Sequence, residues 1–562
     1  MSAREERDAL ALPPALYGHA LRLLRESPDG VPVRRGYRLP DTSTPDAAPP
    51  SREALGRLSD DAARSLGRRL TRTGTTVPAV ATGIALLARL GEAEDIPCLS
   101  ALGLFREFTS AVVDALDAID RQAAAVVWLT VCSRSELRPL VGALWAGDRQ
   151  AVRAELEAFP ALPRCLGSTG ARRIAEATRL TELLDRHPSD TALLARAGRI
   201  LARMVCAQDR ATDVLEYRDA LALYERVVTR AGLLPPALDH HATLLSLAWD
   251  LNSGPGVLLD WPSGRRAMLL ESLGRLLAEP RWAPPADTGV GEPDQRLRAG
   301  WVRRTGRRPF ALPGSAPGGL RVEVVAGDPV DRAPVETRVL VDGRPVVPAV
   351  FARGPAHSPE YLLDDGRLRA GPEPREVQLA EACCTEGCCG ALYVTIRRDG
   401  DQVVWENWRR PALPGTGKPA PEPPVHRFDA AAYDAEIARA ETDFSWSWPA
   451  RTVARLVKAG LVARPELLRR WDLRRGWISS GHDDPDSVVV TFWYEPGPAA
   501  GKPDGIPLQF LWVVPDDGAP PAEQAAAALR RLAGEDPKTY GRVCGGSRER
   551  AEELGFPWQG GV

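Results

Sequence analysis

Along residues 51–278 apolar side chains recur at spacings of three and four, the period of helices that bury one face. Val77, Val80, Ile84, Leu87 and Leu90 make one such stripe, opened by Thr76 as a cap and Pro78 in the first turn. Phe108, Val112, Leu116 and Ile119 make another, and Val214, Leu221, Tyr224 and Val228 a third. The stripe of Leu193, Leu194, Ala197, Ile200, Leu201, Met204 and Val205 is broader, which predicts a helix packed on more than one side. Residues 91–95 and 146–148 have the composition of inter-helix turns. The pattern predicts antiparallel helices in series.

Past residue 320 the period falls to two. Residues 322–325 open a strand-rich region, and 339–347 reads as a hairpin with Asp342-Gly343 at its tip. Strands at 376–380, 391–396 and 403–405 predict a meander. Helices are expected at 430–441, 449–458 and 465–470, and strands at 476–479, 487–494 and 507–514. A closing helix is expected at 521–532, with proline at its start and Gly534 past its end. The expected fold class is multidomain: an all-α helical-hairpin array followed by an α+β domain with antiparallel hairpins.

Shifts in composition place the boundaries. Residues 1–50 hold one predicted helix near 15–25 and a Pro-rich linker, and 51–278 the helical domain. Residues 279–319 form a Pro-, Gly- and Arg-rich linker and 320–562 the α+β domain, with a sub-boundary at 411–424. A chain of 562 residues is too long for one core. Its net charge of −2 gives no global field to recruit nucleic acid or an acidic membrane. The first residues carry both signs of charge with no apolar stretch behind them, and no run reaches membrane-spanning length. These features predict a cytoplasmic protein whose nine cysteines stay reduced.

Four of those cysteines, Cys383, Cys384, Cys388 and Cys389, lie between two predicted strands and cap a hairpin whose turn is Thr385-Glu386-Gly387. Three readings compete. Structural zinc sites usually space their thiolates for a two-residue knuckle. Here three residues separate Cys384 from Cys388, and adjacent cysteines on a strand point to opposite faces. A redox pair lacks the Cys-x-x-Cys spacing that lowers a thiol pKa. Packing is the plainer account, with two thiols on the core side and two in the turn. Zinc on these four residues is the alternative.

The other candidates are weaker. His240 and His241 diverge by about 100° on one helix and do not easily share a metal. Cys98, Cys132, Cys165 and Cys206 fall in or beside helical stretches and read as small hydrophobes. Residues 296–310 carry six arginines interleaved with Trp301 and Phe310, the nucleic-acid candidate of the chain. The patch is short and has no binding fold around it, so a solvated linker is favoured. Nine of the fifteen tryptophans lie from Trp405 onward, a density that more often packs a small sheet than lines a cleft. Residues 415–418 end like a phosphate loop, but Pro419 replaces the Ser or Thr that the loop needs. Residues 482–486 have carboxylates suited to calcium, yet Val489 stands where the loop needs glycine. Gly545-Gly546-Ser547 fits simple helix capping better than an anion site. No nucleophile elbow or zinc-protease motif is present.

Two resemblances follow from these motifs. Residues 337–547 carry Cys-Thr-Glu-Gly-Cys-Cys-Gly-Ala-Leu at 384–392, Trp-Ser-Trp-Pro-Ala-Arg-Thr-Val at 446–453, Arg-Trp-Asp at 470–472 and Cys-Gly-Gly-Ser at 544–547. They resemble a family of uncharacterised proteins of high-GC bacteria, which implies no activity and no catalytic residue. In helix length and turn placement, residues 76–159 resemble HEAT-type α-solenoid repeats, which implies a concave surface for protein. The expected function is protein interaction or scaffolding without catalysis, with no cofactor and no nucleic-acid or membrane partner. The alternative is a zinc-binding or cysteine-dependent protein centred on residues 383–389.

Overall fold

A computed structural model supplies the coordinates. It describes residues 59–74, 77–103, 105, 108–132, 150–151, 154, 167–206, 212–283, 292–306, 308, 310, 319–382, 386, 390–411, 423–480, 486–495 and 507–558. The expected helix near 15–25, the Thr76 cap, the turn at 146–148 and Cys165 lie outside the described residues.

The first part is the expected array of helices. They are α1 (Asp60–Thr73), α2 (Val77–Leu90), α3 (Ile96–Leu102), α4 (Thr109–Ile119), α5 (Arg121–Cys132), α6 (Gly167–Thr178), α7 (Leu180–Arg186), α8 (Thr191–Met204), α9 (Ala220–Arg230), α10 (Leu238–Ser253) and α11 (Arg265–Leu277). Caps fix several starts. Ser59 accepts from the Ala62 amide ahead of α1, whose first turn is acidic, and Asp190 accepts from the Leu193 amide ahead of α8. The predicted stripes face inward over most of their length: Val80, Ile84 and Leu87 are buried, as are Val112 and Leu116, while Val77 at the start of α2 is exposed. The third stripe divides. Val214 belongs to a separate turn, Asp213–Glu216, while α9 buries Leu223, Tyr224, Val227 and Val228 and leaves Leu221 half-buried.

The second part holds three antiparallel sheets. β1 (Leu320–Ala326), β2 (Val335–Val341) and β3 (Arg344–Pro345) form the first, and Asp342 and Gly343 supply the two positive-φ residues at its tip. β4 (Arg375–Glu381), β5 (Ala391–Asp399), β6 (Gln402–Arg409) and β7 (His426–Asp429) form a meander in chain order. β8 (Leu473–Ser480), β9 (Val488–Tyr494), β10 (Leu508–Val514) and β11 (Arg542–Gly545) form the third, in the order β11-β10-β9-β8.

The stretch expected to be a solvated linker is built differently. Residues Pro293–Thr305 form a helix, α12, that buries Arg298, Ala299, Trp301, Val302 and Thr305. Three arginines of this stretch have partners inside the protein. Arg298 bonds Asp239 at 2.7 Å and Asp328 at 2.8 Å. Arg304 lies over the Trp448 ring at 5.2 Å and pairs with Asp486. Arg308 donates to the Val324 carbonyl and lies over the Trp249 ring at 4.8 Å. A strand edge needs partners for its backbone groups. That of β1 receives them from side chains: Trp301 donates to the Ala326 carbonyl, Arg439 to the Val322 carbonyl, and Glu436 accepts from the Val322 amide.

α10 is where the parts meet. It is buried nearly all round, from His241 to Ser253 except Ser246. Leu244, Leu247, Ala248 and Leu251 pack into the core of the helical array. Ala242, Leu245 and Trp249 pack with Trp301, Val302 and Val325 into the core of the third sheet and its helices, α14 (Pro449–Ala463) and α15 (Pro521–Gly534). The meander has its own core with β1, β2 and α13 (Ala430–Thr442). Buried ions reinforce the join: Arg199 and Arg203 of α8 both bond Asp331, in the turn that follows β1.

Candidate functional site

The hairpin that carries the cysteine cluster is present, because β4 and β5 pair antiparallel out to Glu381 opposite Ala391. Cys383, Cys384, Cys388 and Cys389 themselves lie outside the described residues. What is described is the frame that holds their turn. Glu386, at its centre, donates its amide to the Glu381 carboxylate at 2.9 Å. Gly390 donates to the Glu386 carbonyl at 2.9 Å, and Ala382 donates to the Gly390 carbonyl at 3.0 Å. Gly390 has φ +96°, so a side chain there would be strained.

A chain of side chains runs from this turn across the sheet. The Tyr393 hydroxyl donates to Glu386 Oε2 at 2.7 Å, and Gln378 Nε2 donates to the same hydroxyl at 3.0 Å. Gln378 Oε1 therefore accepts from His357 Nε2 at 3.0 Å, which fixes the proton of the neutral imidazole on Nε2. Burial pushes the Tyr393 phenol up to about 12, and the Glu386 carboxylate adds to the effect. Burial also lowers His357. Arg409 closes the exposed side, 4.1 Å from the Tyr393 ring centre and bonded twice to Glu376. An amide in the middle of the chain holds direction but does not readily pass a proton, so the arrangement orients the turn. The period-two pattern carried a signal for part of it: Gln378 and Tyr393 are direct cross-strand partners. Nothing local marks His357.

The helical part contributes a second feature, a cleft of about 820 Å³. It opens at the turns between α4 and α5, between α6 and α7, and before α9. Asp120, Arg121, Glu176, Arg179, Glu182, Tyr217, Arg218 and Asp219 line it. Asp120 accepts from the Gln122 and Ala123 amides at the start of α5, Glu176 pairs with Arg172, and Asp219 accepts from Thr181. Tyr217 is 3% exposed, and its hydroxyl has no hydrogen-bond partner among the described residues. Burial, with Asp219 adding to it, raises that phenol well above its ordinary value. The lining combines both signs of charge above the buried Tyr217.

The remaining sequence candidates go to structure. His241 bonds the Trp282 carbonyl at 2.7 Å and packs edge-on against that ring, while His240 bonds the Pro235 carbonyl. Trp405, Trp446, Trp448 and Trp512 are buried in the sheet cores. Ser547 caps Arg548–Glu553 by accepting from the Arg550 amide. Cys98 is buried, and Cys206 and Cys544 are half-buried. Residues 415–418 and 482–485 lie outside the described residues. Among the described residues, no three His, Cys, Asp or Glu side chains are grouped to hold a metal, and no helix is long and apolar enough to cross a membrane.

No family model, no curated protein and no solved structure matches the chain.

Proposed function

We propose that the protein works in the cytoplasm as a non-catalytic interaction platform that engages a protein partner through the cleft of its helical array. The observation that carries this reading is how charge is distributed. Several buried charged groups, Asp328 and Asp331 with Arg203 and Arg298, and Arg451 with the half-buried Glu360, are spent on joining elements. The cleft offers exposed charged groups, Arg121, Arg179, Glu182, Arg218 and Asp219, to an incoming chain in a concavity large enough for several side chains. Cross-linking in cells that express the tagged chain tests it. The reading expects one partner whose cross-links map beside residues 117–122, 176–182 and 217–219, and whose capture is lost in the double variant Arg121→Glu, Arg218→Glu. Capture that is indifferent to the double variant would contradict it.

A second reading is supported by the frame around Glu386, which ties the cysteine turn from both ends. On that reading a structural zinc or a reactive thiol uses Cys383, Cys384, Cys388 and Cys389. Mass-spectrometric metal analysis separates the two. The platform reading expects no stoichiometric zinc and a melting temperature unchanged by chelator. One zinc per chain, lost together with folding in Cys384→Ser, would establish the second.

A further inference from the structure

The central strands of the third sheet are apolar on both sides. An antiparallel sheet with helices on one face ordinarily alternates apolar inward with polar outward. Here β9 reads Val-Val-Val-Thr-Phe-Trp-Tyr and β10 reads Leu-Gln-Phe-Leu-Trp-Val-Val. Val490, Phe492, Phe510 and Trp512 belong to the core shared with α14 and α15. The residues between them make the other face. On it Val489 pairs with Val513, Thr491 with Leu511, and Trp493 with Gln509. Leu511 pairs in turn with Arg542 of β11. Trp477 of β8 stands beside Thr491, whose hydroxyl donates to its carbonyl at 2.9 Å. Val489 and Leu511 are buried, yet they belong to none of the three cores. Trp477 is 42% and Val513 47% exposed, while Trp493 and Gln509 are half-buried. Charge is confined to the two edge strands, where Arg542 is exposed on β11 and Arg474 of β8 pairs with Glu495. Large apolar side chains shown to solvent on one continuous face mark a surface that another molecule covers.

We propose that this face is a homodimer interface, on which a second copy of the chain lies sheet against sheet about a two-fold axis that runs along the strands between β9 and β10. In the order β11-β10-β9-β8, such an axis sets β9 over β10 of the second copy and β8 over its β11. The contacts that result are complementary, and each occurs twice. Val489 meets Val513 of the second copy, and Thr491 meets Leu511. The Trp493 indole N–H meets the Gln509 amide, and the Arg542 guanidinium lies over the Trp477 ring. The edge strands select the occupant. Arg542 and Trp477 stand on opposite edges of the sheet and cannot meet within one chain, but the two-fold brings an exposed cation onto an exposed ring at both edges. An axis across the strands at the level of Leu511 would set Arg542 against itself, so the axis along the strands is the one the charges allow. Strands about 4.8 Å apart, with a rise of about 3.3 Å per residue, make a face of roughly 15 by 20 Å, the size of a small interface that associates reversibly. It uses no residue of the cleft in the helical array.

Sedimentation velocity of the full chain over a micromolar concentration series tests the interface, with circular dichroism to confirm that each variant is folded. The unaltered chain should pass from monomer to dimer as concentration rises. Val513→Glu places a carboxylate between the two sheets and should weaken the dimer at least about tenfold. Arg542→Glu and Trp477→Arg should each weaken it, the first by setting a carboxylate over the ring and the second by opposing two arginines. An equimolar mixture of R542E and W477R should recover the dimer, because one edge then joins a carboxylate to a guanidinium and the other keeps the native contact. A chain that stays monomeric throughout the series overturns the proposal and leaves the face to another protein or to a segment of this chain. So does a dimer that V513E leaves intact, which would place the contact elsewhere. Edge variants that do not recover on mixing overturn it as well, since the copies would then meet about a different axis.

Discussion

Arg451 shows how tightly this protein commits a charge. It is 7% exposed, forks onto both oxygens of Glu360, and lies over the rings of Trp446 at 5.4 Å and Trp448 at 5.2 Å. Burial alone would raise Glu360, but Arg451 outweighs it and holds the carboxyl below its ordinary 4.5. That contribution to stability is present above about pH 4.5 and is lost as pH falls through the lower folded value. Arg451→Met strands a buried carboxylate, so it should cost about 3–5 kcal/mol at neutral pH, measured by denaturant unfolding. Most of that cost should disappear as pH falls through that lower folded value. A cost that does not change with pH would mean that the aromatic packing, and not the ion pair, is what the variant loses. Tyr393→Phe removes one donor to Glu386 and one acceptor from Gln378. It should cost about 1 kcal/mol in the same measurement, and a neutral result would remove the hydrogen-bond chain as a support of the cysteine turn.

Among the elements, α12 is the informative one. Trp301 fills the contact between α10 and the third sheet, and its indole also closes the β1 edge. Trp301→Ala should cost about 3–5 kcal/mol, and Trp301→Phe distinctly less. Values near zero in chemical unfolding would return residues 293–305 to the status of a solvated linker. The sequence did not expose this helix, because its inward side is Arg298, Ala299, Trp301, Val302 and Thr305, and an inward arginine looks like an outward one. Arg298 is buried because Asp239 and Asp328 arrive from distant parts of the chain. The apolar stripes of α2, α4 and α8 needed no such partners, and the hairpins at 339–347 and 376–396 announced themselves through alternation and Asp342-Gly343. The four-residue β7 escaped notice because His426, Arg427 and Asp429 interrupt any alternation. The cysteine hairpin was legible as a hairpin. The cleft was not, since Asp120, Glu176, Tyr217 and Arg218 lie at helix ends far apart in sequence and meet only through the packing of the array.

Across the whole molecule, α10 belongs to two cores at once, so the helical array and the sheets bear on each other through packed side chains as well as through the connecting chain. Arginine–aspartate contacts run across the same boundary: Arg199 and Arg203 of α8 with Asp331, and Arg298, which joins Asp239 of α10 to Asp328. A platform that presents a cleft in fixed relation to its other surfaces requires such a join. Limited proteolysis followed by gel filtration tests it most directly. Cleavage between residues 279 and 319 should yield two fragments that elute together at the position of the intact chain and separate only in denaturant. Two folded fragments that part in native buffer would show that the parts are independent domains on a tether, and would contradict the account.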